Sequence, residues 1–395
     1  MRLPNTLVLL TAFLLCSAVA ATSCLDRLST SNFVDSVTCL SYPVETHIVT
    51  TEDGHKLTLY RIQAKYSKIS PNKPVTLMWH GLIDSADGWI INEERIAPGL
   101  VMANKGYDVW FGNSRGNKYS LGHTYHDSTK DTEFWEFSWQ HMAQYDLPAA
   151  FSYIAKLTGE KINYIGHSQG TTQMFAALSD PAGRHPAIIN NLRKFAALGP
   201  VAYLGNVRSH LITTLARTPL LVQLLQQVGK YGVLMPNWFS SQGGRAICTT
   251  FSWTCSLGLN LVSDDKPNTN NEAKYDALAG HYPSGTSVMD LQHWKQALTN
   301  GGEFSKYDYG FFGNLQTYGQ TKPPKYDVTL IQEDVGLFVG ADDLLATPAD
   351  VGKLRRDMVN AKTMIRYYPL GHLGFFLGKE LSYMNDLLEF LDIKQ

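Results

Sequence analysis

A Gly-His-Ser-Gln-Gly pentapeptide at Gly166–Gly170 sets Ser168 between two glycines, after the apolar run INYI and ahead of a helix-like stretch, TTQMFAALS. A serine hydroxyl is a poor nucleophile until a base takes its proton, and that base needs a carboxylate to orient it. Flanking glycines suit a sharp turn between strand and helix on which no side chain fits beside the nucleophile. The first amides of the following helix also favour negative charge nearby. A second match to the pattern, Gly112-Asn-Ser-Arg-Gly116, follows another apolar run. After its serine, Ser114, comes NKYSLGHTYH, which has no helical periodicity and a glycine of its own, so this match reads as a structural turn. Ser168 is the expected nucleophile.

On a strand–turn–helix elbow the expected chain order is serine, acid, histidine. Five histidines follow Ser168: His185, His210, His281, His293 and His372. His372 alone lies beyond the last apolar runs, in a glycine-flanked loop (YYPLGHLGFF), and is the expected base. His281 and His293 read as hydrogen-bonded structural residues. For the acid, VGLFVGADDLLATPADV ends a strand with Asp342 and Asp343 side by side, and position alone leaves that tie open. Asp334 and Asp350 read as surface charges. An oxyanion needs two backbone N–H donors. Gln169, directly after the nucleophile, supplies one; the loop after an early strand, MWHGLIDSADGWI, supplies the Leu82 amide as the other, with His80 holding that loop.

These groups must be carried by a sheet. VTLMW (75–79), YDVWF (107–111), INYI (162–165) and VGLFV (335–339) read as strands buried on both faces. THIVTTEDGHKLTLYRI reads as a hairpin about its Asp-Gly turn. DLPAAFSYIAKLTGE reads as a helix with Asp146 as N-cap, Pro148 in the first turn and Gly159 as the stop; GKELSYMNDLLEFLDI reads as a closing amphipathic helix. Such alternation predicts an α/β fold with a mostly parallel sheet, formed by residues 21–201 and 326–395. The alternation stops over 202–325, which reads as an inserted helical cap. There Leu211, Leu215, Leu220, Leu221, Leu224, Leu225 and Val228 recur at partly helical spacing, giving a helix able to pack on the sheet domain and to offer a second face to an acyl chain.

The chain has 395 residues, 44% hydrophobic and 17% charged, with a formal net charge of −1. That balance offers no electrostatic attraction to nucleic acid. Residues 1–20 read as a secretory signal: Arg2, an apolar centre from Leu7 to Leu15, and Ala18-Val19-Ala20 before the cleavage point. The apolar part is short of the ~20 residues of a membrane span, and no later stretch reaches it. In an oxidising compartment Cys248–Cys255 is a plausible local disulfide, with Cys24–Cys39 as a further pairing. No metal site and no cofactor is expected; neither cysteine pair has C-x-x-C spacing.

With these residues in view, the chain resembles the acid lipases, the family of gastric lipase, lysosomal acid lipase and insect digestive lipases. The similarity runs over nearly all of the chain after the signal, through HGLIDSADGWI, LVMANKGYDVWFGNSRGN, FWEFSWQHMAQYDLPAAFSYI, YIGHSQGTT, HYPSGTSVMDLQHWKQ, GADDLLATPADV and GHLGF. The resemblance implies an α/β-hydrolase fold, and a nucleophile at Ser168, base at His372 and acid at Asp343, the aspartate directly before LLA. It also implies oxyanion donors at Leu82 and Gln169 and a cap whose lid lies around Lys230 to Val262. The activity it implies is hydrolysis of neutral-lipid esters at a lipid–water interface, triacylglycerols first and cholesteryl esters second. A small-ester carboxylesterase and a non-catalytic lipid-binding protein of the same fold are the rival readings. Asp342 and Thr347 depart from the family pattern. No Asn-x-Ser/Thr sequon occurs, which tilts the expected address toward secretion, into a gut lumen, with the lysosome as the alternative.

Overall fold

The computed structural model describes residues 30–218, 232–236, 243–244, 246–248, 250–263 and 269–391. The signal segment, Cys24, part of the expected lid and the leucines at 220, 221, 224 and 225 lie outside them, as does Val228.

Nine strands form one sheet: β1 (Val44–Thr50), β2 (His55–Ile62), β3 (Val75–Trp79), β4 (Asp108–Gly112), β5 (Gly122–His123), β6 (Ile162–His167), β7 (Leu192–Leu198), β8 (Asp334–Gly340) and β9 (Lys362–Tyr368). Their spatial order is β1-β2-β4-β3-β6-β7-β8-β9, with β5 paired to β2. The pairs β1–β2, β2–β4 and β2–β5 are antiparallel. From β4 to β9 every pair is parallel. Strands β3, β4 and β6 are buried at every position, because helices cover both faces of a parallel sheet. Alternate residues feed two cores: Trp79, Trp110 and Tyr164 enter one, while Met78, Phe111 and Ile165 enter the other. This is the α/β arrangement that the alternating runs predicted.

Three strands escaped the sequence reading, the two-residue β5 among them, because it lies in the stretch NKYSLGHTYH that reads as a turn. In β7, Arg193 and Lys194 interrupt the apolar run. In β9, Lys-Thr-Met-Ile-Arg-Tyr-Tyr forms the sheet edge with mostly half-buried or exposed side chains, so it lacks the continuous apolar signature. The strand expected at 107–111 begins one residue later, at Asp108.

Asp146 is a correction. The expected N-cap has helical dihedrals (φ −67°, ψ −51°) and makes no capping bond. The helical run begins earlier, at Trp139, and passes through a π-helical turn at Met142–Asp146 into the helix Leu147–Thr158. Its cap is Ser138, reciprocated by His141. Asp146 is instead the buried partner of Arg115, from the second glycine-serine-glycine match: Oδ1 accepts from Arg115 Nε at 2.7 Å and Oδ2 from the Arg115 N–H at 3.0 Å. The remaining guanidinium nitrogens bind Asp53 at 2.6 and 2.9 Å. Gly116 turns with φ +78°, and a Cβ there would meet the Phe137 ring at 2.4 Å. The Gly112–Gly116 match is therefore a structural turn built around a buried cation.

Between β7 and β8 the described residues include helices His210–Arg217, Ser252–Val262, Tyr275–His281, Val288–Thr299 and Gly310–Tyr318. Cys248 and Cys255 form a disulfide there. Cys39 is also disulfide-bonded.

Removing the Arg115 charge leaves Asp146 buried without its counter-ion. Arg115→Met is expected to cost roughly 3–5 kcal/mol, read as a lowered urea midpoint; an unchanged midpoint would show that the ion pair adds nothing to stability.

Candidate active site

Ser168 sits between the end of β6 and the helix Gln169–Ser179 with φ +51° and ψ −119°, a left-handed backbone rare for a side-chain-bearing residue. The turn is tight enough to require both glycines. A Cβ on Gly166 would lie 2.8 Å from the Gly170 carbonyl carbon, and one on Gly170 would lie 2.5 Å from the Trp79 carbonyl oxygen. The Ser168 N–H donates to Leu198 O on β7 at 3.1 Å, tying the elbow to the next strand.

His372 follows β9 and reaches this elbow across 204 residues of chain: its Nε2 lies 2.8 Å from Ser168 Oγ. Its Nδ1 lies 2.8 Å from Asp343 Oδ2. Of the adjacent aspartates, the structure thus brings Asp343 to the ring; the main chain of Asp342 bonds Leu370 O. Asp343 is fully buried, and its other oxygen accepts from the Leu345 and Ala346 amides, each at 2.8 Å. Those amides orient the carboxylate and stabilise its charge. Gly199 leaves room for the pair, since a Cβ there would meet His372 Nδ1 at 3.3 Å. Thr347 caps the helix Pro348–Asp357, accepting from the Asp350 N–H.

His167, inside the pentapeptide, was not among the expected site residues. Its Nε2–H donates to the His372 carbonyl at 2.9 Å. Burial, with His372 and His80 nearby, holds its pKa well below the usual imidazole value, so it stays neutral. The motif shows that a histidine precedes the serine, but not that the C-terminal loop returns to meet it.

The loop after β3 lies beside the elbow: a Cβ on Gly81 would sit 3.1 Å from Ser168 Cβ. His80 Nε2 accepts from the Ser114 N–H at 3.0 Å, so its Nδ1–H donates to Gly81 O at 2.8 Å. Gln169, first residue of its helix, has an N–H with no intrahelical acceptor. Leu82 and Ser168 line the same cavity, of about 510 Å³, with His372. Its other walls are apolar, among them Val201, Leu204, Val207, Ile212, Leu298 and Leu345, with the Cys248–Cys255 disulfide on one side. Tyr282 and Trp294 also line it; both stand in the block HYPSGTSVMDLQHWKQ, but neither was among the expected site residues. His281 pairs with Asp87, and His293 bridges Ser138 Oγ and Ser305 O, as structural histidines do.

Comparison with known proteins gives this geometry a family. Residues 74–379 match the model of the alpha/beta hydrolase fold, and residues 33–93 that of a partial alpha/beta-hydrolase lipase region. The chain is 37% identical to gastric triacylglycerol lipase of Mus musculus over 353 residues, 87% of each chain. The chain belongs to the α/β-hydrolase lipase family. Within it, this family member is also 36% identical to Lipase lipl-1 of Caenorhabditis elegans, over 85% of each chain. Among solved structures, a soluble variant of monoglyceride lipase from Saccharomyces cerevisiae superposes with a TM-score of 0.52 at 16% identity, covering 87% of this chain and 94% of that one. That likeness shows the fold. The resemblance drawn from the sequence motifs is thereby shown at the level of the family.

Two residues beyond Leu82, burial and the charge of Asp87 push the Asp84 carboxyl up to about 7, against the hydrogen bond it accepts from the Ser85 N–H. A raised acid pKa means the folded state keeps its proton longer than the unfolded chain. The stabilisation is fully present below pH 3.8 and is lost as pH rises through 7. Asp84→Asn, which keeps the acceptor, should therefore gain on the parent between pH 5 and 8, by on the order of 1–4 kcal/mol. Paired melting curves across that range would show the gap widening; a constant gap would contradict it.

Proposed function

We propose that this protein is a secreted lipase that hydrolyses carboxylic esters of neutral lipids, triacylglycerols first and cholesteryl esters second. The observation that carries the reading is the Ser168–His372–Asp343 hydrogen-bond chain opening into an apolar cavity of about 510 Å³. A polar substrate would find little to bond along those walls, whereas an acyl chain would leave water for them. The names of the relatives, gastric triacylglycerol lipase above all, point to the same substrate class.

In this mechanism Ser168 Oγ attacks the ester carbonyl carbon while His372 Nε2 takes the hydroxyl proton. Asp343 holds the ring by Nδ1 and stabilises the imidazolium that forms. The carbonyl oxygen becomes an oxyanion that accepts from the Leu82 and Gln169 amides. Collapse of the tetrahedral intermediate releases the alcohol, protonated by His372, and leaves an acyl-serine. Water, deprotonated by the same ring, then attacks the acyl carbon and frees the fatty acid.

The segment 202–325 is the cap in this reading. Near the disulfide that walls the cavity, Ile247, Phe251, Trp253 and Leu257 stand exposed, Trp253 at 65% and Leu257 at 49%. Such a cluster fits contact with a lipid surface. The Cys248–Cys255 disulfide and the leader-like N-terminus support an oxidising, secretory address.

Ser168→Ala should lower hydrolysis of emulsified triolein on the order of 10⁴- to 10⁶-fold while the melting temperature holds; retained turnover with a folded protein would remove Ser168 as nucleophile. The double substitution Trp253→Ser, Leu257→Ser should depress activity on emulsified triolein several-fold and spare p-nitrophenyl butyrate in solution. Equal losses on both substrates would mean that this cluster serves the fold and not the interface.

A further inference from the structure

The two amides assigned to the oxyanion are held in different ways. Gln169 opens a helix whose first turn is already closed: Ser168 O accepts from the Thr171 N–H at 2.8 Å and from the Thr172 N–H at 3.2 Å. Its amide needs no further support. Leu82 belongs to an irregular loop, followed by Ile83 at φ +54°, a left-handed conformation that a β-branched residue resists. A loop so strained keeps its shape only where its surroundings over-determine it.

The ends of that loop are secured within the sheet domain. His80 bonds Gly81 O, and the Ala86 N–H donates to Asn113 Oδ1 at 3.0 Å. The middle is secured from the segment between β7 and β8. Tyr282, at the C-terminus of the helix Tyr275–His281, donates its hydroxyl to Leu82 O at 2.8 Å. The Ser284 N–H donates to Ile83 O at 2.7 Å. Ser284 in turn is held: its carbonyl accepts from the Lys118 N–H at 2.8 Å, and its Oγ donates to His281 O at 2.7 Å. Both peptides that follow Leu82 are therefore pinned, and rotation about Leu82 would break one bond or the other.

We propose that Tyr282 is the positioning residue of the oxyanion site: the Gly81–Leu82 peptide, which carries the Leu82 N–H, is held through Gly81 O by His80, and the Tyr282 hydroxyl fixes the next peptide through Leu82 O, so that the Leu82 N–H stays aimed at the developing negative charge. The inference rests on the assignment of Leu82 as an oxyanion donor made above. Tyr282 serves two purposes at once: the ring walls the acyl cavity and the hydroxyl sets the donor. Burial, with the charge of Asp84 adding to it, raises its phenol far above the usual value, so the proton it donates is present at every working pH. Trp294 provides the contrast. It lines the same cavity and donates Nε1–H to Gln169 Oε1 at 2.5 Å, but it bonds the side chain of a residue whose amide the helix already fixes.

Tyr282→Phe keeps the cavity wall and deletes only the hydroxyl. With p-nitrophenyl butyrate, and rates normalised to the Ser168 labelled by a phosphonate so that only competent molecules are counted, kcat should fall about tenfold and KM stay within twofold. That is a fraction of the ~10²–10³ lost when an oxyanion donor is removed outright. Affinity for a reversible trifluoromethyl ketone, which forms a tetrahedral oxyanion on Ser168, should fall by the same factor, while competition by butyrate, which forms none, should not change. Tyr203→Phe, which deletes a tyrosine hydroxyl bonded to Asp357 at 2.9 Å outside the cavity lining, should leave ketone affinity within twofold. An unchanged kcat in Tyr282→Phe, an equal loss of butyrate affinity, or the same ketone loss in Tyr203→Phe would overturn the inference while normal labelling left the nucleophile standing. Failure of the phosphonate to label wild-type Ser168 would overturn the hydrolase reading and this inference with it.

Discussion

The imidazole of His372 bridges a hydroxyl and a carboxylate that come from opposite halves of the sequence, 2.8 Å on either side. Tolerances of that size cannot be met by flexible segments, so the rest of the molecule is best understood as the means of meeting them. Parallel strands β6 and β8, with β7 between them, deliver Ser168 and Asp343 at their carboxyl ends, and β9 brings His372 back beside β8. All of these strands point the same way, so their loops gather on one edge of the sheet. Helices on both faces keep the strands dry and straight, and the buried tryptophans of β3 and β4 fill the first core.

Close approach is the second requirement, and it explains where side chains are missing. At Gly166 and Gly170 a Cβ would strike backbone, and at Gly199, which turns with φ +55°, it would crowd the His372 ring. The pentapeptide is thus a record of packing as much as of chemistry. The other copy of the pattern has the same outward form for a different reason: its serine accepts from the Trp79 indole at 2.9 Å, and its arginine is locked between two carboxylates.

Much of this was legible in the residues. Apolar runs such as VTLMW reveal doubly covered strands, and glycines around a serine reveal a strand-to-helix elbow where an apolar run precedes them and a helical pattern follows. Features set by contacts distant in sequence were not. Asp146 has the type and place of an N-cap, yet a buried guanidinium from the loop after β4 claims it and the helix starts about two turns sooner. Strand β9 looks like surface because it is the edge, and β7 because two cations break its run. Tyr282 and His167 stand in the blocks HYPSGTSVMDLQHWKQ and YIGHSQGTT, but their contacts were not legible because the partners, Leu82 and the His372 carbonyl, are some two hundred residues away.

Ser168, Asp343 and His372, proposed to break and form bonds, stand at the ends of strands of the sheet, whereas much of the cavity proposed to receive a substrate is contributed by the helices between β7 and β8. Such a division of labour lets chain-length preference drift through mutation in one region without disturbing bond-making in the other. On the reading proposed above, Tyr282 is where the separation fails, since its ring lines the cavity and its hydroxyl bonds Leu82 O. Exchange of the helical segment between relatives would therefore be tolerated only where the residue at this seam still reaches the same carbonyl, which makes it a natural constraint on how such enzymes diversify.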